Sequence, residues 1–155
     1  METTKQLSVF LENKPGRMAN VLSALAREKI NLTALTVMDS HEHSVLRLVA
    51  DDLAKTRQVI RALGTPSAET DVLLVELRNQ PGALAHVCEQ LAGEHINIEY
   101  AYCSAGGRNG KTLGIFRVSN TEKAMRVLGE SPNNSARRRM GRRPIHIRSA
   151  KAPSV

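Results

Sequence analysis

Leu11-Glu12-Asn13-Lys14-Pro15-Gly16-Arg17-Met18 returns as Leu77-Arg78-Asn79-Gln80-Pro81-Gly82-Ala83-Leu84, 66 residues later. The same offset carries Leu25 to Leu91, Glu28 to Glu94 and Ile30-Asn31-Leu32 to Ile96-Asn97-Ile98. Further along, the offset becomes 68: Leu48 meets Phe116, Asp52 meets Asn120, Lys55 meets Lys123 and Val59 meets Val127. A two-residue insertion, aligning with the stretch between Ser40 and Ser44, accounts for the change. The chain is therefore an internal duplication, and one unit can be read with the help of the other.

Each unit parses alike. Leu7–Leu11 and Leu73–Leu77 are short runs rich in β-formers, closed by the breaker Asn-x-Pro-Gly. Met18, Val21, Leu22, Leu25 and Ile30 then follow at roughly helical spacing, as do Leu84, Val87, Cys88, Leu91 and Ile96. Second strands are predicted over Leu32–Met38 and Ile98–Cys103, and third strands over Val45–Ala50 and Leu113–Val118. Asp52 and Asn120 are natural N-caps for second helices ending near Leu63 and Leu128, with Gly64 and Gly129 where a C-cap glycine belongs. A fourth strand is weakly marked. Thr65–Thr70 is poor in β-formers, and the second unit offers only residues 144–148. The order is strand, helix, strand, strand, helix, strand, twice: an α+β chain of two tandem βαββαβ, ferredoxin-like modules with antiparallel sheets packed side by side. The expected boundaries are 1–70, 71–130 and a basic tail over 131–155. Helices cover one face of each sheet; the other needs a partner, for which a second module is the obvious candidate.

Composition narrows the functional classes. Of 22 Lys and Arg, seven lie after Glu130, where no acid occurs; the body up to Glu130 holds the other 15 against 15 acids. The net charge of +7 belongs to the tail. With no aromatic among its arginines, the tail offers phosphate contact but no base stacking, so nucleic acid is the lesser reading. No apolar run approaches the ~18 residues that span a bilayer. The first residues lack the apolar core of a secretory signal, so a cytoplasmic protein is expected. Cys88 and Cys103 read as buried small hydrophobes in a reducing compartment.

The corner between first strand and first helix carries the chemistry. Pro15 and Pro81 suit a first helical turn, and Gly16 and Gly82 leave no side chain over its amides. The amides of Gly16, Arg17 and Met18, and of Gly82, Ala83 and Leu84, together with the positive end of a helix dipole, suit a carboxylate. Asn13 and Asn79 can both donate and accept, as an ammonium beside a carboxylate requires. The same residues would also serve simply to cap a helix. Other motifs lead nowhere. Ala105–Thr112 imitates a phosphate-binding loop, but a strand-like run follows it, so it reads as a hairpin turn. His41 and His43 lack a third metal ligand. No catalytic constellation, metal or cofactor is expected.

These residues resemble the ACT domain over about residues 6–130. The motif is found twice, each time followed by Ile-Asn-Leu or Ile-Asn-Ile after one helix. ACT domains are regulatory modules that bind amino acids in enzymes such as phosphoglycerate dehydrogenase and aspartokinase. The resemblance implies a free amino-acid effector held where two modules meet side by side, touched by the loop Asn of one and by an Asn starting the second strand of its neighbour. Asn13 would then pair with Asn97, and Asn79 with Asn31. Where the family often has a polar residue, two before the loop Asn, this chain has Leu11 and Leu77. The implied protein is no enzyme. It senses an amino acid and regulates a partner enzyme in trans, its modules pairing within the chain or in a homodimer. A regulatory small subunit, as in acetolactate synthase, is the alternative; that family carries a single good motif.

Overall fold

Alternation in Leu7-Ser8-Val9-Phe10-Leu11 sends odd-numbered side chains to one face, and Leu7, Val9 and Leu11 are buried there. The computed structural model describes residues 1–39, 43–104 and 111–129. Its elements are β1 (Glu2–Glu12), α1 (Arg17–Arg27), β2 (Leu32–Asp39), β3 (His43–Ala50), α2 (Leu53–Ala62), β4 (Ser67–Arg78), α3 (Ala83–Gly93), β5 (Ile98–Cys103), β6 (Lys111–Val118) and α4 (Thr121–Gly129). Helix α1 buries Val21 and Leu25, and α3 buries their repeats Val87 and Leu91. Asp52 and Asn120 cap as predicted, accepting from the amides of Lys55 and Lys123 at 2.9 Å each. Past α2, Gly64 takes a left-handed φ of 64°.

The two sheets expected side by side are joined into one antiparallel sheet of order β2-β3-β1-β4-β6-β5. Pairing of β1 with β4 runs from Glu2↔Leu74 to Val9↔Ser67. Strand β4 thus closes the first module with its beginning and opens the second with its end, where Leu73↔Phe116 to Arg78↔Lys111 join it to β6. Ser67–Thr70 is extended despite its composition because β1 supplies a ladder; tertiary pairing overrides weak propensity. The place beside β4 where the second module's last strand would lie is taken by Glu2–Gln6 of β1. The candidate strand 144–148, like the whole tail, falls outside the described residues.

The 66-residue offset exchanges Glu2↔Leu74 with Ser8↔Ala68, and maps Lys5↔Asp71 onto itself. A pseudo-twofold axis therefore passes between Lys5 and Asp71, which form a half-exposed ion pair at 2.7 Å. Beneath the helices lie two cores, one around Leu7, Val9, Leu25, Leu46 and Leu48, the other around Leu73, Leu77, Leu91 and Phe116.

The helix-free face is covered from within the chain. Ala34, Val49, Val72, Leu74 and Ile115 form a third core there. The guanidinium of Arg47 on β3 stacks 3.6 Å from the ring centre of Tyr100 on β5, although three strands intervene. Flat, the sheet would hold β3 and β5 about 19 Å apart. The sheet is therefore strongly curled, and the two modules cover each other's back face. Buried Gln6 ties the curl: it donates to Tyr100 Oη at 3.0 Å and to Ser8 Oγ at 3.3 Å, and accepts from Tyr102 Oη at 3.0 Å. Among the described residues the buried Nε of Arg47 has no hydrogen-bond partner.

Candidate functional site

Pro15 and Pro81 lie just before the N-caps of α1 and α3, not in the first helical turns where they were expected, because each N-cap is the following glycine. Gly16 and Gly82 occupy the N-cap position with φ of 86° and 87°, and no side chain caps either helix. The amides of Arg17 and Ala83 donate back to the carbonyls of Lys14 and Gln80 at 3.3 Å each. A left-handed N-cap turns the chain sharply from strand into helix and leaves its first turn without a side-chain acceptor, the setting in which an anion is bound. Asn13, Pro15, Gly16, Arg17 and Met18 are all exposed, as are Asn79, Pro81, Gly82 and Leu84; Ala83 is half-buried. Leu11 and Leu77 point into the cores and line no polar contact. A side chain at either glycine meets no atom within 4 Å but would be strained by the backbone. Gly82→Ala is expected to cost about 1–2 kcal/mol by that strain alone, read as a lower urea midpoint at unchanged slope.

At the second corner a cleft of about 730 Å³ runs between the end of β4 and α3, bounded by Pro81, Gly82 and Ala83 and by Leu77, His86 and Gln90. The first corner is flanked by charge: Arg17 meets Glu12 at 2.8 Å, and Lys14 meets the same carboxylate at 3.1 Å. Hydrogen bonding by Lys14, then Arg17, holds the Glu12 carboxyl below its usual range.

Asn31 and Asn97 are exposed and held alike at the starts of β2 and β5. The amide of Asn31 donates to Asp51 Oδ1 and that of Asn97 to Ser119 Oγ, both at 3.1 Å. The chain does not bring them to the loop asparagines. Between β1, which Asn13 follows, and β5, which Asn97 precedes, lie β4 and β6. The register sets Asn13 and Asn97 on the order of 25 Å apart along the strand direction. The pseudo-twofold axis separates Asn79 from Asn31 equally. The modules meet at β1 and β4, leaving β2 and β5 as the outermost strands among the described residues. Leu35, Val37 and Met38 of β2 are exposed there.

The remaining motifs resolve simply. The phosphate-loop imitation runs into strand β6, which begins at Lys111, not into a helix; residues 105–110 lie outside the described residues, as do His41 and Glu42. Among the described residues no group of three or more His, Cys, Asp or Glu could hold a metal, and no helix is long and apolar enough to cross a membrane. Both cysteines are free, but only Cys88 is partly buried. Cys103 is exposed, contrary to expectation, because β5 is the outermost strand among the described residues.

The family model described as an ACT domain pair matches residues 2–134. A crystal structure of a protein from Bacteroides thetaiotaomicron is 38% identical with a TM-score of 0.77, over 83% of this chain and 88% of that one. The ligand-free regulatory subunit of aspartate kinase from Thermus thermophilus is 15% identical with a TM-score of 0.59, over 84% and 97% of the two chains. The corresponding subunit from Thermus flavus is 18% identical with a TM-score of 0.58, over 84% and 92%. These two share the fold. No curated protein sequence matches the chain.

Proposed function

The chain belongs to the family of paired ACT domains, and from that premise we propose that it is an amino-acid-binding regulatory protein acting in trans on a partner enzyme. The observation that carries this is the duplicated corner: Asn, then Pro, then a left-handed Gly, opening a helix whose first turn no side chain caps. Modules 1–70 and 71–130 each contribute one. The carboxylate of the effector rests on the amides of Gly16, Arg17 and Met18, or of Gly82, Ala83 and Leu84, beside Pro15 or Pro81; Asn13 or Asn79 meets its ammonium and carboxylate. Because Asn31 and Asn97 start edge strands far from these corners in the same chain, the asparagine that completes each site comes from a second copy. That copy docks edge to edge along β2 or β5, and the exposed Leu35 and Val37 support such a contact. Binding tightens this interface, and the partner enzyme responds to the change. Free Cys88 and Cys103 fit a cytoplasmic setting.

A thermal-shift screen of the twenty amino acids tests this. At a hundredfold excess over its Kd the effector adds about 2.7 kcal/mol to stability. The Asn13→Ala, Asn79→Ala double variant should lose that response while keeping its own fold. A folded protein that none of the twenty stabilises would refute the proposal.

A further inference from the structure

The two corners share a backbone but not their flanking side chains. At the constant offset, Glu12 is replaced by Arg78, Lys14 by Gln80, Arg17 by Ala83, Asn20 by His86 and Ala24 by Gln90. At the first corner a carboxylate stands at the helix mouth and both cations are engaged with it, Arg17 at 2.8 Å and Lys14 at 3.1 Å. An incoming carboxylate meets a fixed negative charge there and must compete for cations already paired. At the second corner that carboxylate is gone. Arg78 is exposed and has no acidic partner among the described residues, and Ala83 leaves the mouth clear. Glu76 also lines the cleft, but its carboxylate is tied to Lys111 at 2.6 Å. Here the cleft of about 730 Å³ opens, its floor apolar with Val75 and Leu77, its rim polar with Gln80, His86 and Gln90.

We propose that only the second corner takes the effector, one molecule per chain, with Arg78 completing its carboxylate site and His86 and Gln90 receiving a polar side chain. The first corner keeps the same backbone as a structural element, closed by Glu12 and Arg17. The assignment rests on the amino-acid-binding reading above and goes further in naming the working corner, the count and the class of side chain. A duplicated fold tolerates this division, since each corner's backbone is held by its own strand and helix while the flanking side chains are free to diverge.

Calorimetric titration of the full chain with the amino acid that stabilises it most in the screen gives the count. One molecule per chain is expected, with a polar side chain. Arg78→Glu installs the first corner's carboxylate and should weaken binding at least tenfold, while Arg78→Lys keeps the charge and most of the affinity; circular dichroism confirms that both are folded. The Glu12→Arg, Arg17→Ala pair should open the first corner and raise the count to two. Two molecules per unaltered chain, an aliphatic effector, undiminished binding by a folded Arg78→Glu variant, or a count still at one after the first corner is opened would each overturn the assignment while leaving amino-acid sensing intact. If no amino acid binds the unaltered protein, the reading beneath fails and takes this one with it.

Discussion

Phe116→Ala is expected to cost about 3–5 kcal/mol, the usual penalty for emptying a buried aromatic site. Phe116 has no exposed surface and lies among Leu73, Leu77, Val87 and Leu91. It is the single fully buried aromatic: Phe10 is exposed, Tyr100 and Tyr102 are half-buried, and there is no tryptophan. Against a total stability of about 5–15 kcal/mol, the variant should melt on the order of 10–20 °C lower. The ring also explains Gly114, two residues earlier on the same face. A Cβ there would stand 2.7 Å from Phe116 Cε2 and 3.1 Å from Leu77 Cδ1. In the first module Leu46 and Leu48 hold the equivalent positions, so two medium side chains have been exchanged for a large one over none. Gly114→Ala alone should therefore destabilise by about 1–3 kcal/mol, and combined with Phe116→Leu by clearly less than the sum. Additive losses in urea unfolding would contradict this packing.

Gln6→Leu is the second large effect. The change nearly preserves volume but removes the amide that joins Ser8, Tyr100 and Tyr102 across the curled face. Two tyrosine hydroxyls lose their partner, and an orphaned buried polar group costs about 1–3 kcal/mol, so a total near 2–4 kcal/mol is expected. Tyr102→Phe in the Gln6→Leu background should recover part of it, because one stranded hydroxyl is then gone. Full stability of Gln6→Leu would show that the curl does not depend on this junction. Burial, and secondarily Tyr100, pushes the Tyr102 phenol well above its ordinary value of 10.0. The neutral form is favoured by folding, so this contribution is complete below pH 10 and is lost as pH rises beyond it; Tyr102→Phe should flatten that alkaline decline.

The duplication, the order of elements and the two corners were legible because each depends on residues close in sequence. Alternation at two residues marks Leu7–Leu11, spacing at three and four marks Val21 and Leu25, and a cap such as Asp52 acts three residues on. The unequal roles proposed for the corners were also written there, in Glu12 against Arg78 and Arg17 against Ala83, but acquire meaning only where Arg17 is seen to reach Glu12 and the second corner is seen to open.

Backbone propensity and hydrophobic period are local properties, so the strand, helix, strand, strand, helix order of both units and the Asp52 and Asn120 caps are legible in the sequence, whereas the left-handed φ of Gly16 and Gly82 at the N-cap is not. The tertiary structure settles that β4 serves both modules, that Glu2–Gln6 pairs beside β4 where the second module's last strand would lie, and that the helix-free face closes on itself through Gln6, Tyr100 and Arg47. It also decided that Asn13 and Asn97 lie far apart. The hydrogen-bonding edge of a strand is the same whatever its side chains, so its neighbour is chosen by which distant edge can reach it while burying both faces, and no local pattern carries that choice.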